Sequence, residues 1–504
     1  MKKLILIALA ACATAKPQQP PPAAKPAAAE APPPQVTPDA PFRETAPPPG
    51  KPLEFHAPVP KQLALSNGLP VFLLERHEVP LVTVALALRS GADTEPPGKA
   101  GLSAMTLEML DEGTQTRDAA AIARGFEDLA ARYGTATDAD ASTLSVTALA
   151  ETLPQVVELF ADVALHPAFR AADVERVRTE RLGGIAQALD DPGSVGAHVL
   201  ARVIYGEKHP WGYPGEGTVK SVKSITRKDL AGWHAAYFRP SNAALFVVGD
   251  AAESDLLPLL EKQFGAWKDA KTRTPPAAML PKGGERVITL VDKPDAPQSQ
   301  IWIGEVGVSS SAPDLFAVRV MNNILGGDFD SRLNSNLRTE HAWSYGVFSF
   351  YETHREAGPF VAGGGVVSDK TAEAVTEFMR ELKRMQTGEI SGLELASAKE
   401  TLVHSIPALF ASNEQTAGAY ARAWQHGQPA DYYARFQAHV EAVTPDEVAK
   451  AARDRLHPDR MAIVVVGPAE ALEEKLGKLG FGKVEFRDAQ GEAKKAVKAA
   501  ATKK

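Results

Sequence analysis

Two kinds of apolar pattern run through the chain, and each occurs twice. Period-two alternation, the mark of a half-buried strand, extends from Leu63 to Leu74 around a turn at Asn67-Gly68 and resumes from Leu81 to Arg89. It returns from Val287 to Val291 and from Ser299 to Val306. Each strand pair then gives way to a helical period. Between Gly101 and Leu110 the residues Leu102, Met105, Met109 and Leu110 fall near one helix face, and Leu315 to Leu325 repeats the arrangement. Farther along, a helix-like stretch stops at Pro240 or Pro458, and an unbroken apolar run follows, Ala243 to Val248 or Met461 to Val466. Each run ends at a glycine, Gly249 or Gly467, as a buried strand closed by a turn would.

The two sets keep a single register. Ile225-Thr226 matches Val443-Thr444, Asp229-Leu230 matches Glu447-Val448, Pro240 matches Pro458, and Val247-Val248-Gly249 matches Val465-Val466-Gly467, each pair 218 positions apart. A constant offset across elements of different type signals an internal duplication. The expected fold class is α+β: two duplicated α+β domains, each a mostly antiparallel sheet flanked by helices, joined by a linker. The expected boundaries are 59–267 and 286–485, with a Lys-, Pro- and Gly-rich linker at 268–285.

Composition narrows the class. A chain of 504 residues exceeds one core, while 44% hydrophobic and 23% charged residues are ordinary globular values. A net charge of -7 gives no broad basic field, so nucleic acid is dropped as a partner. The only cysteine, Cys12, rules out an intrachain disulfide. It follows Met1-Lys2-Lys3 and an apolar run from Leu4 to Ala11, so residues 1–12 read as an export signal. Leu9-Ala10-Ala11-Cys12 resembles the bacterial lipobox, whose cysteine is lipidated, although a plain cleaved signal is the alternative. The expectation is a bacterial cell-envelope protein facing the periplasm and touching the membrane only through a lipid at Cys12. No later segment approaches the roughly 20 apolar residues of a membrane helix. Residues 13–58, dense in Pro and Ala, read as a stiff tether, and 486–504 as a Lys- and Ala-rich tail.

Chemistry enters at Gly101-Leu102-Ser103-Ala104-Met105-Thr106-Leu107-Glu108-Met109-Leu110, with Gly113-Thr114 just beyond. The stretch resembles the zinc helix of the pitrilysin/insulinase family. In that family the helix carries H-x-x-E-H, whose histidines at i and i+4 share a face and bind zinc while the glutamate activates water. Anchored on the flanking residues, the three positions fall on Ala104, Leu107 and Glu108, and the family's later glutamate ligand falls on Gly184. None is the residue the motif requires. Independently of that alignment, no two of the twelve histidines are four apart, so neither H-x-x-E-H nor H-E-x-x-H occurs anywhere. A site gathered from scattered residues stays open.

The second half resembles the same family at Leu325-Gly326-Gly327, Ser331-Arg332-Leu333 and Leu337-Arg338, continuing to Tyr345. There the resemblance implies that Arg338 and Tyr345 reach into a partner's zinc site, the guanidinium as a fork for a carbonyl or carboxylate and the hydroxyl as a donor to a developing oxyanion. Read as residue types alone, they fit a surface Arg and a half-buried Tyr equally well. His209-Pro210-Trp211-Gly212-Tyr213 reads as a structural loop, Gly363-Gly364-Gly365 as strand, and Asn322-Asn323 and Glu340-His341 as caps or turns. The resemblance implies the non-zinc subunit of a heteromeric zinc metallopeptidase. It has no cofactor in this chain, zinc in a partner subunit of the same family, and a peptide substrate. An inert structural subunit and a stand-alone peptide-binding lipoprotein are the alternatives.

Overall fold

The computed structural model describes residues 54–269 and 286–494. Cys12, the 1–12 signal, most of the 13–58 tether, nearly all of the linker and the end of the tail lie outside the described residues. Among the described residues no helix is long and apolar enough to cross a membrane.

The first sheet holds β1 (Lys61–Ala64), β2 (Pro70–Glu75), β3 (Leu81–Leu88), β4 (Arg132–Thr137), β5 (Ser142–Leu149) and β6 (Ala243–Gly249), in the order β1-β2-β6-β3-β5-β4. The second holds β7 (Val287–Asp292), β8 (Gln298–Val306), β9 (Val347–Tyr351), β10 (Pro359–Val367), β11 (Ala462–Gly467), β12 (Lys483–Arg487) and β13 (Ala493–Lys494). Its order is β13-β12-β7-β11-β8-β10-β9. Only β2 with β6, and β7 with β11 and β12, run parallel. The duplication is visible in the pairing itself: Val247 lies between Leu73 and Val84, and Val465 between Leu290 and Ile301.

Local chemistry accounts for the repeated residues. Thr226 and Asp229 form a capping box at the start of the Arg227–Tyr237 helix, and Thr444 and Glu447 form its counterpart on Pro445–Arg455. Both helices therefore start at a fixed residue. The terminal glycine of β6 is required sterically: Gly249 has φ 138°, and a Cβ there would sit 2.1 Å from the Leu81 carbonyl oxygen.

The halves are interlocked. The Pro192–Tyr205 helix, started by Asp191 and by proline in its first turn, lies in the first half of the sequence but packs on the second sheet. Its Val195, Val199, Leu200 and Ile204 cover Val291, Val361, Val464 and Val466. Reciprocally, the Asn413–Gln425 helix of the second half covers β3 and β6 of the first, with Ala417, Tyr420 and Ala421 in one cluster with Ala85, Ala87, Ala244 and Phe246. Asn413 donates to the Leu81 carbonyl (2.9 Å), Gln425 to the Ser142 carbonyl (2.8 Å), and Arg89 to the Trp424 carbonyl (2.7 Å). Four fully buried aliphatic side chains contribute on the order of 6–12 kcal/mol before conformational entropy. The exchange thus ties the two sheets into one unit. It also explains why β6 is buried along its whole length: Leu245 and Val247 face the helices of their own half, while Ala244, Phe246 and Val248 face the visiting one.

Two expected boundaries move. The second sheet continues past residue 485, because Phe486 pairs with Leu290 in β7 and is buried, and β13 adds an edge. At the other end Phe55 packs on Phe410 at 5.3 Å and the Tyr420 hydroxyl donates to the Pro58 carbonyl, so the last tether residues belong to the folded body.

Candidate functional site

The Leu102–Glu108 helix buries Leu102, Met105 and Leu107 against the first core, with Met109 and Leu110 just beyond its end. Its start is held by Glu95, a buried residue whose carboxylate accepts from the Gly101 N–H (3.0 Å), the Ser103 N–H (2.8 Å) and the Ser103 hydroxyl (2.6 Å). Burial pushes the Glu95 carboxyl up to about 7, against the pull of those donors.

At the positions where the family resemblance puts zinc, Ala104 is half-buried, Leu107 is fully buried, and neither offers a lone pair. Glu108 is exposed and already engaged: Arg181, on the Ala171–Asp190 helix, approaches it at 2.6 Å and donates its Nη1 to the Glu216 carbonyl at 2.8 Å. Gly184, one turn beyond Arg181, is exposed, and a Cβ there would meet no atom within 4 Å. These four positions do not fit a zinc ion, because they offer one ligand atom set in all, the Glu108 carboxylate, and Arg181 already occupies it. Arg181 was not among the residues that the sequence singles out. Its only signal was its place three residues before Gly184.

The segment carrying Arg338 and Tyr345 is built differently. A wide helical turn runs over Asn323–Gly327 and another over Ser335–Glu340, closed by the His341 N–H donating to the Asn336 carbonyl at 3.0 Å. Turns of this width are rare and gather at functional sites. Gly326 is required because a Cβ there would sit 2.6 Å from the Ser349 hydroxyl and 2.7 Å from its N–H. Arg332 is a structural residue: it is buried, pairs with Glu394 at 2.7 Å, and holds the Glu394 carboxyl down to about 2.

Arg338 and Tyr345 face outward from this frame. The Arg338 guanidinium lies 3.7 Å from the ring centroid of Phe329, itself 58% exposed, and makes no ion pair among the described residues. Tyr345 is 90% exposed although both flanks are anchored. Ser344 donates to the Gly365 carbonyl at 2.6 Å, and Asn334 brackets Val347, accepting from its N–H at 2.9 Å and donating to its carbonyl at 2.7 Å. Ala342, between the two, is left-handed at φ 54°, a strained conformation for a residue with a Cβ. A free guanidinium and an unburied phenol on a pinned, strained segment can donate hydrogen bonds to a carbonyl or carboxylate brought to them. Gly363, Gly364 and Gly365 are in β10, and Trp211 is buried in a short turn.

Comparison with known proteins places the chain. The family profile described as Insulinase (Peptidase family M16) matches residues 71–201, and that described as Peptidase M16 inactive domain matches 224–402. An uncharacterized zinc protease of Bacillus subtilis, YmxG, is 24% identical over 346 residues, 69% of this chain and 83% of the relative. An uncharacterized zinc protease of Mycobacterium tuberculosis is 26% identical over 346 residues, 68% of this chain and 78% of its own length. Among solved structures, a peptidase M16 inactive domain from Pseudomonas fluorescens superposes with a TM-score of 0.74 at 26% identity, covering 81% of this chain and 98% of that one. A protease from Helicobacter pylori gives a TM-score of 0.75 at 20% identity, covering 81% of this chain and 100% of that one. Both halves of the duplication, in the expected order, carry one family's pattern, and the chain belongs to the pitrilysin/insulinase family of peptidases, peptidase family M16.

Proposed function

We propose that this chain is the non-zinc subunit of a heteromeric metallopeptidase. It gives Arg338 and Tyr345 to the active site of a partner of the same family, where an unfolded peptide is cut. The observation that carries this reading is the contrast between the two halves. The helix matching the family's zinc site has Ala104, Leu107 and an Arg181-paired Glu108, while Tyr345 stands 90% exposed and Arg338 has no ion-pair partner among the described residues. Zinc bound by the partner would supply the activated water. Arg338 then holds a substrate carbonyl or carboxylate in register, and the Tyr345 hydroxyl donates to the oxygen that becomes negative at the scissile carbonyl. A lipid at Cys12 would keep the pair at the periplasmic face of the cell envelope, and acyl-chain labelling lost in Cys12→Ser checks that part.

The test is co-purification with a zinc-bearing family member, followed by turnover of a quenched-fluorescence peptide by complexes carrying Arg338→Ala or Tyr345→Phe. The expected result is intact assembly with reduced turnover in both. Unchanged turnover by both complexes would reject the catalytic role and leave an inert structural subunit. A stable monomer that binds peptide without a partner would instead support a stand-alone binding lipoprotein.

A further inference from the structure

A second constellation lies where the two halves meet, away from both segments considered above. The turn between β4 and β5 carries Asp140, and its counterpart in the duplication, the loop between β9 and β10, carries His354. His426 caps the C-terminus of the Asn413–Gln425 helix that crosses onto the first sheet. One ligating atom from each of the three lies within 4.8 Å of the other two. Asp140 is 2% exposed and His354 4%, and three buried atoms here have no hydrogen-bond partner: Asp140 Oδ1, His354 Nδ1 and His426 Nε2. His354 Nδ1 and Asp140 Oδ1 face each other at 3.6 Å, too far for a hydrogen bond, and buried polar atoms left without one are costly unless something binds them.

We propose that Asp140, His354 and His426 form a divalent transition-metal site of the zinc class that staples the two halves together, with solvent as a fourth ligand. Two imidazoles and a carboxylate are a zinc-type donor set. Zinc arms of about 2.0–2.1 Å at tetrahedral angles put neighbouring donors about 3.3–3.4 Å apart. His354 Nδ1 already lies 3.6 Å from Asp140 Oδ1, and the full set, within 4.8 Å, closes on an ion by a shift of the His426 side chain at its helix end.

The surroundings orient each ligand. The other Asp140 oxygen, Oδ2, accepts from the Arg355 N–H at 2.7 Å and faces its Nε at 3.2 Å, leaving Oδ1 turned inward. His354 Nε2 lies 3.4 Å from Glu352 Oε1, the carboxylate–histidine arrangement that keeps the proton on Nε2 and the Nδ1 lone pair toward a metal. The Trp211 ring packs on His354 at 4.9 Å and excludes water from that side. Asp138 and Glu352 add negative charge beside this group, while Arg355 and Arg422 oppose a cation there.

The sequence hid this site because its ligands are 214 and 72 positions apart, a spacing no helical motif uses. The role is structural and distinct from peptide cleavage, so it stands or falls separately from the Arg338 and Tyr345 reading. The test is calorimetric titration of the chelator-stripped full chain with ZnCl2, with visible spectroscopy of CoCl2 as a geometric probe. One equivalent per chain, a higher thermal midpoint and the intense cobalt bands of a four-coordinate site are expected. His426→Gln, at a half-buried helix end, and Asp140→Asn should each weaken binding by more than about 100-fold. Circular dichroism of the metal-free variants verifies that each is folded. Failure of the wild-type chain to take up an equivalent would overturn the proposal, as would equal uptake by folded His426→Gln, which would mark the metal as bound at surface histidines.

Discussion

Gly196→Ala tests the helix exchange through the sign of its effect. Gly196 lies inside the Pro192–Tyr205 helix, and a Cβ built on it would stand 2.2 Å from Trp302 Cδ1 and 2.3 Å from Nε1 on β8 of the other half. Ordinary carbon contacts are about 3.5–4.0 Å, so the indole must retreat by more than about 1 Å. It has little room: Phe348 meets its ring at 5.5 Å, and β8 is held between β10 and β11. Helix propensity favours alanine over glycine by about 1 kcal/mol, whereas overpacking of this kind costs about 1–3 kcal/mol and sometimes more. With the clash at 2.2–2.3 Å placing the cost toward the upper end of that range, the expected net effect is destabilisation by up to about 2 kcal/mol. Gly184→Ala is the matched control, a helical glycine with open space around it, and should stabilise by about 0.5–1 kcal/mol. Urea denaturation followed by circular dichroism reads both. A Gly196→Ala protein stabilised like the control would mean that this helix does not lie on β8, and the interlocked fold would be wrong.

The remaining expectations concern the two site segments. Tyr345→Phe should lower kcat of the assembled peptidase by about 100-fold if its hydroxyl serves the oxyanion, and Arg338→Ala should lower kcat/KM by roughly ten- to a hundredfold; steady-state kinetics on the pair distinguishes the two. Glu95 binds its proton more tightly folded, at about 7, than at its ordinary 4.5, so its contribution to stability is present below 4.5 and is lost as pH rises through 7. That loss is on the order of 3 kcal/mol, and Glu95→Gln should gain on the wild type in denaturation midpoint between pH 5 and 8; a pH-independent difference would refute it. Ala342→Gly relieves a left-handed residue at φ 54° and should stabilise by up to about 1 kcal/mol, since glycine returns part of the strain relief as backbone entropy.

Much of this molecule was legible from its residues alone. Apolar periodicity placed β1 to β3, β6 to β8, β11 and the Leu102–Glu108 helix but not β4, β5, β9, β12 or β13, and the shared offset of Thr226 with Thr444 and of Val247 with Val465 revealed the duplication, because capping boxes and buried strands depend on neighbours a few residues away. Histidine spacing alone excluded a paired helical zinc site. Tertiary structure decided the rest. An apolar stripe on residues 192–205 or 413–425 says that a helix buries one face, but not which sheet receives it, and here each crosses to the other half. Arg181 on Glu108, the exposed phenol of Tyr345 between two anchored neighbours, and the convergence of Asp140, His354 and His426 are likewise products of packing. They join residues far apart in the chain, and periodicity carries no information about which distant surfaces meet.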